Sequence, residues 1–350
     1  MFEISVAIIA KNEERVIGRL LSCVKKFADE IIVVDTGSHD KTVQIALEYT
    51  NKVYYFSWVS DFSAARNYAF SCATKEYIMW LDSDDFITSE NIEKINKLKS
   101  GDKADTYMLK YDIAFDALGN SIFSYYRERI MKNCELAKWV GAVHEVIPPF
   151  GMVTYTDISI SHKKIGENEK GRNLKIYRKL IRSGYILNER EEYYYARELY
   201  YNGYNNAAER VLKKSIKRLS YKPDKREAYI MLADLLLKRK KYNLALKYLF
   251  EGLKSFLATS EYMCKIAEVL LYVDYLHISA IFYKSALENK YDFSGFYKRE
   301  YSEIIPSLAL CRIYYQLGDI EQSKEYQKIA KAFNPSDPRV IYNENFFNGK

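Results

Sequence analysis

The chain has 350 residues, 48% of them apolar, with 14 Gly, 6 Pro and a net charge of +7. That composition excludes a mostly disordered, collagen-like or linker-rich chain and leaves room for about two globular domains. Five Cys with no Cys-x-x-Cys pair argue against a disulfide framework or a structural zinc site and point to reduced thiols in a cytoplasmic protein.

The first half alternates strand-like and helix-like patterns. Ile4–Ala10 is a continuous apolar run, as expected of a strand buried on both faces of a parallel sheet. Apolar Val16, Ile17, Leu20, Leu21 and Val24 have helical spacing within 13–27. Strands are expected at 30–35, 52–56 and 77–81, and helices at 41–49, which Ser38 or Asp40 can cap, and at 63–74. Strand and helix in alternation argue an α/β domain with a mainly parallel sheet. From Thr106 to about Ile160 the segments read as shorter and strand-rich.

After about Arg172 the strand signals stop. Four helix-pair patterns follow, at 191–219, 225–256, 260–289 and 302–333, each with a small residue early in its second helix: Ala208, Ala245, Ala280 and Ser323, spaced by 37, 35 and 43 residues. These spacings lie near the 34-residue period of tetratricopeptide (TPR) repeats. The charge divides in the same place. Residues 1–170 carry 21 Lys+Arg against 25 Asp+Glu, and residues 171–350 carry 32 against 21, a net of +11. We therefore expect a domain over 1–170 and an all-α domain over 171–350. No stretch reaches the ~18 apolar residues of a membrane span.

Several segments could carry chemistry. Asp82-Ser83-Asp84-Asp85 directly follows an apolar strand, where ligands bind in open α/β sheets. Its crowded carboxylates suit a divalent cation whose other positions take phosphate oxygens and water; a solvated turn of helix-capping acids is the plainer alternative. Asp35 also ends a strand and could accept from a ribose or base edge, or cap the helix after it. Arg66, on the first turns of a helix, could brace a carboxylate or a diphosphate, or lie on the surface. His144 and Glu145 stand side by side as potential general bases, and His162 as a metal ligand or surface residue.

Taken together, Ile8-Ile9-Ala10-Lys11-Asn12-Glu13-Glu14, Glu30–Thr42, Phe62-Ser63-Ala64-Ala65-Arg66-Asn67, Trp80-Leu81-Asp82-Ser83-Asp84-Asp85 and Trp139–Glu145 resemble the family-2 inverting glycosyltransferases of GT-A fold. With the helical repeats, the resemblance narrows to a bacterial branch with a C-terminal TPR-like domain. That branch includes the peptide S-glycosyltransferases that modify glycocin-type bacteriocin precursors. The resemblance implies a Rossmann-like α/β domain and a UDP-sugar donor, UDP-glucose or a related UDP-hexose. Ile9, Ala10, Lys11, Glu13, Asp35, Arg66, Asp82 and Ser83 would then hold the nucleotide sugar, and Asp84 and His162 a Mg²⁺ or Mn²⁺ ion. Glu145 is the first candidate base and His144 the second. The acceptor would be Cys or Ser of a peptide, with a sugar or lipid-linked glycan as the alternative and a TPR scaffold with an inactive donor domain as the rival of another class.

The Tyr residues of the helical half, such as Tyr193-Tyr194-Tyr195 and Tyr200-Tyr201, read mostly as packing, with a peptide groove as the sharper option. A homodimer through the repeats is plausible. Nucleic acid is not an expected partner, because the basic charge is spread along the helices without a concentrated run.

Overall fold

In the computed structural model, residues 1–350 are described except 117–118, 164–168, 290–296 and 350. The chain divides into two compact units, Met1–Ile186 and Leu187–Lys350.

The first unit is built on a mixed sheet. Its strands are β1 (Ile4–Ala10), β2 (Glu30–Asp35), β3 (Val53–Tyr55), β4 (Tyr77–Asp82), β5 (Asp85–Phe86), β6 (Thr106–Phe115), β7 (Ser121–Lys132) and β8 (Val153–His162). They run in the spatial order β3-β2-β1-β4-β7-β6-β8-β5. Strands β3, β2, β1 and β4 are mutually parallel, and β7 joins β4 antiparallel. The helices are α1 (Ile17–Val24), α2 (Thr42–Leu47), α3 (Phe62–Ser71), α4 (Ser89–Leu98) and α5 (Arg172–Arg182).

The continuous apolar character of β1 follows from burial on both faces. Ile4, Val6 and Ile8 pack into one cluster with Leu20, Leu21 and Ile95 from the helices. Ala7 packs into a second cluster with Ala69, Phe70, Trp80 and Trp139. A half-solvated strand would alternate instead. The segments of 106–160 are longer than their sequence suggests. Strands β6, β7 and β8 have 10, 12 and 10 residues. Polar residues such as Lys110, Ser124 and Arg127 interrupt the apolar runs, yet the ladder continues through them.

At the amino end of the sheet, Glu30 is buried and holds three elements. Its carboxylate accepts from Ser5 Oγ at 2.5 Å, from Thr74 N at 2.8 Å and Thr74 Oγ1 at 2.7 Å, and pairs with Lys52. Burial pushes its pKa up, but Lys52, Ser5 and Thr74 outweigh that and bring it down to about 2. A depressed carboxylate contributes stability above its unfolded value near 4.5, and that contribution is lost as pH falls through about 2. Glu30→Gln should cost about 2 kcal/mol at neutral pH, since it replaces a charged acceptor with an amide. Acid unfolding should flatten between these two pH values relative to wild type, as read by circular dichroism.

The second unit is helical. Its pairs are α6 (Glu189–Tyr201) with α7 (Asn205–Arg218), α8 (Lys222–Lys238) with α9 (Tyr242–Gly252), α10 (Ser260–Tyr272) with α11 (Leu276–Glu288), and α12 (Ile304–Gln316) with α13 (Ile320–Phe333); α14 (Pro338–Phe347) follows. Ala208, Ala245, Ala280 and Ser323 are all buried, where each second helix packs closely on its first. Ser279 Oγ donates to Ala267 O at 2.8 Å, and Ser323 Oγ to Cys311 O at 2.7 Å, tying two of the pairs across their interfaces.

The turn inside each pair carries a left-handed residue two positions before the second helix: Gly203, Lys240, Asp274 and Gly318, at φ of 80°, 56°, 61° and 80°. The repeat is thus kept in backbone geometry even where the sequence has lost its Gly. Of the tyrosines, Tyr193 and Tyr194 are buried and Tyr201 is exposed. Among the described residues no helix is long and apolar enough to cross a membrane.

Candidate active site

The carboxyl ends of β2, β1 and β4 bring the first motifs into one row. Asp35 is the register partner of Ala10, and Ile9 that of Asp82. This edge is where an open parallel sheet binds its ligands. The loops above it are stitched together. Thr36 N donates to Ala10 O at 2.9 Å, Asn12 N to Ser38 Oγ at 2.9 Å, Glu13 N to Thr42 Oγ1 at 2.7 Å and His39 N to Asn12 Oδ1 at 2.9 Å. Asp35 is buried and turned onto its own loop, where Oδ2 accepts from Gly37 N and Ser38 N, both at 3.0 Å. Gly37 has φ of 105°, a conformation a side chain would strain. Lys11 is exposed and Glu13 half-buried at the mouth of this edge. Asp40, not Ser38, bonds the start of α2, accepting from Thr42 N at 3.0 Å.

Strand β4 ends at Asp82, and Ser83-Asp84 turn the chain into β5 at Asp85. Asp85 sets this turn. It is fully buried; its Oδ2 accepts from Arg129 Nη1 at 3.0 Å and from Asp82 N at 2.9 Å, and its Oδ1 from Tyr111 OH at 2.9 Å. Arg129 is equally buried, its guanidinium 3.6 Å from the Trp80 ring centre and 4.2 Å from that of Tyr111.

With Asp85 drawn inward, Asp84 meets β8. Asp84 Oδ1 lies 3.3 Å from His162 Nδ1, while Asp84 O accepts from Arg19 Nη2 and Lys163 N, both at 3.0 Å. Burial lowers the proton affinity of His162, but Asp84 and Asp85 outweigh it and raise the pKa to about 10. Donor atoms of Asp84, Asp85 and His162 lie within 4.8 Å of one another. Carboxylates and an imidazole so gathered form a donor set that fits a divalent cation.

The second centre of charge is Arg66 on α3. Its Nη2 donates to Asp82 Oδ1 at 2.6 Å and its Nε to Glu145 Oε1 at 2.8 Å. The guanidinium also sits 5.1 Å from the Trp80 ring centre and 4.8 Å from that of Trp139. Burial disfavours the charged form of Asp82, yet the Arg66 and Arg129 cations hold its pKa down at about 2. The same two carboxylates raise the proton affinity of Arg66 against its own burial.

The loop carrying Glu145 is fixed from several sides. Asn67 bonds both the N–H and the C=O of Trp139, Phe62 N donates to Ala142 O at 2.9 Å, Arg127 Nη2 to Glu145 O at 3.3 Å, and Ile147 N to Glu128 Oε1 at 3.2 Å. Gly141 and His144 are left-handed, at φ of 93° and 53°.

The structure therefore brings Arg66, Asp82 and Glu145 into one ion-paired group and Asp84 and His162 into another, with Ser83 buried in the turn that joins Asp82 to Asp84. Ile9, Ala10, Lys11, Glu13 and Asp35 lie along the neighbouring strand ends. Sequence reasoning did not find Tyr111, Arg127, Glu128 and Arg129, nor the distinct part Asp85 plays. The sequence offers little signal for them: Arg127-Glu128-Arg129 is a charged triplet that, read alone, looks solvent-exposed.

Residues 5–150 match the family model Glycosyl transferase family 2. A TPR repeat-containing protein of Synechococcus elongatus is 42% identical over 90 residues, covering 26% of this chain and 22% of the relative. The SPbeta prophage-derived glycosyltransferase SunS of Bacillus subtilis is 28% identical over 258 residues, covering 68% of this chain and 60% of the relative. The chain thus spans less than two thirds of the length of these relatives. Among solved structures, residues 1–349 of Staphylococcus aureus TarS, crystallised with UDP-GlcNAc, align over 96% of this chain and 92% of that one at 14% identity, with a TM-score of 0.38.

Proposed function

We propose, from the premise that residues 5–150 belong to glycosyl transferase family 2 and that TPR-like helical pairs follow them, that this protein transfers a hexose from a UDP-sugar to an acceptor with inversion. The observation that carries the reading is the pairing of Asp84 with His162 beside the Arg66–Asp82 ion pair at the carboxyl edge of the sheet. In this reading Asp84 and His162 hold Mg²⁺ or Mn²⁺, which supplies Lewis-acid neutralisation of the departing diphosphate. An imidazole beside a carboxylate favours Mn²⁺ over the harder Mg²⁺.

Each remaining part has a task that follows from its surroundings. The loops at 9–13 and 35–38 present backbone and side-chain polar groups to the nucleotide, with Asp35 holding its own loop in shape. Asp82, kept ionised by Arg66, is a hydrogen-bond acceptor for a ribose hydroxyl. Glu145 is our candidate base for the acceptor, with His144 beside it as the second. The preferred acceptor is a peptide Cys or Ser, for which the basic helical unit suits an acidic leader; a glycan acceptor is the alternative. The five cysteines are unpaired, which suits the reducing cytoplasm. The helical unit is also the part expected to pair two copies of the chain.

The test is release of UDP from a panel of UDP-sugars, with Mn²⁺, with Mg²⁺ and with EDTA. Metal-dependent hydrolysis of one donor is expected. Absence of both binding and turnover for every donor would overturn the reading in favour of a scaffold. Glu145→Gln separates base from strut. As a base toward a hydroxyl acceptor, its loss should lower kcat about 10²–10⁴-fold with donor binding intact. A thiol acceptor, partly ionised near neutral pH, should show a smaller effect. A kcat within a few-fold of wild type on a hydroxyl acceptor would leave Glu145 only as the partner of Arg66.

A further inference from the structure

The two residues proposed to hold the cation stand on different chain segments, Asp84 just before β5 and His162 at the end of β8. The ladder that joins those segments is slight. β5 has two residues and pairs antiparallel with β8, Asp85 opposite His162 and Phe86 opposite Ser161. The next rung is made from one side only, by Lys163 N donating to Asp84 O at 3.0 Å. Two-stranded pairings are marginal by themselves, and so short a ladder does little to fix the separation of its ends. Tyr111 steadies the imidazole, its OH 2.8 Å from His162 Nδ1. The backbone of the two segments is held from another element, α1.

Arg19 lies on that helix, and its Nη2 donates to Asp84 O and to Lys163 O, both at 3.0 Å. One nitrogen thus completes the one-sided rung and ties it to α1. These two carbonyls are the only hydrogen-bond partners of Arg19 among the described residues, so its charge is spent on the main chain and not on a carboxylate. Its Nε is shut off from solvent without a partner, and its guanidinium lies 5.8 Å from the Phe86 ring centre. A buried donor left unpaired is costly. What holds the side chain in place is the pair of charge-assisted bonds at Nη2, which are stronger than bonds between neutral groups.

We infer that Arg19 is a positioning residue for the cation site: by clamping the Asp84 and Lys163 carbonyls it keeps Asp84 and His162 close enough to share one divalent ion. Groups behind metal ligands set affinity in this way, by fixing how the ligands are presented. The inference rests on the reading that Asp84 and His162 hold the cation.

The test is calorimetry of Mn²⁺ binding to the full chain in the presence of UDP. In Arg19→Met, Mn²⁺ affinity should fall about 10–100-fold, with UDP affinity in EDTA and the melting temperature little changed. Arg19→Gln, too short to span both carbonyls, should show the same loss and serves if Arg19→Met fails to fold. Arg19→Lys keeps several donors on one nitrogen and should bind Mn²⁺ more tightly than Arg19→Met. Wild-type Mn²⁺ affinity in folded Arg19→Met or Arg19→Gln would overturn the clamp and leave the metal reading standing. Equal affinities for Arg19→Met and Arg19→Lys would also overturn it, because donation to the carbonyls would then not be what Arg19 supplies. A matching loss of UDP affinity in EDTA would make Arg19 a direct contact of the diphosphate and not a positioning residue. Absence of Mn²⁺ binding by the wild-type chain would overturn the metal reading and the clamp with it.

Discussion

Asp84→Ala is expected to abolish donor turnover, by about 10³-fold or more, while the protein folds and still binds UDP in EDTA. The size follows from the proposed role: a carboxylate holding the cation would support several kcal/mol of charge stabilisation at a diphosphate leaving group, at about 1.4 kcal/mol per factor of ten. Folding should survive because the Asp84 backbone carbonyl keeps its bonds from Arg19 and Lys163, and the side chain gives up its pairing with the part-exposed His162. Asp85→Ala should behave in the opposite way. It strips the counter-charge from a fully buried Arg129, and breaking a buried pair from one side costs about 3–5 kcal/mol. Urea unfolding should therefore shift strongly for Asp85→Ala and little for Asp84→Ala, although the two carboxylates are adjacent in sequence. An Asp84→Ala enzyme with wild-type UDP release would remove Asp84 from the site.

The difference between those two aspartates marks what the sequence could reveal. The run of acids after β4 is legible because its position, directly after a continuous apolar strand, is a property of the local pattern. So are the buried strands themselves, whose lack of alternation reports burial on both faces, and the helix pairs, whose small residues recur at the points of closest packing. Which of the acids faces the site is decided elsewhere. Asp85 is turned inward by Arg129, 44 residues away and in a strand whose charged residues look solvent-exposed when read alone. The partner of Arg66 was hidden for the same reason, since Glu145 lies 79 residues further on. His162 could be singled out as an imidazole, but the phenol and carboxylate behind it belong to β6 and β5. Local periodicity carries no information on such pairings; they follow from sheet order, which places β7 beside β4 and β8 beside both β6 and β5.

Arg66→Met should destabilise the first unit by about 3–5 kcal/mol and depress turnover at the same time. Arg66 is buried against two aromatic rings and answers two carboxylates at once, Asp82 at 2.6 Å and Glu145 at 2.8 Å. Its removal leaves both acids largely buried with no counter-charge from α3, and uncompensated buried charge is among the costliest single changes. Arg66→Lys should recover only part of this. A single ammonium can answer one carboxylate, but it lacks the planar fork that spans two, with Trp80 and Trp139 beside it. The charge argument is separable from lost packing by adding Asp82→Asn and Glu145→Gln to Arg66→Met. If uncompensated charge dominates, the triple variant should be more stable than Arg66→Met alone, with a coupling of about 1–3 kcal/mol in urea unfolding. If the triple variant is no more stable, the aromatic contacts are what Arg66 contributes. Donor turnover should stay low in either case, because Asp82 is then neutral at the edge where the ribose would bind.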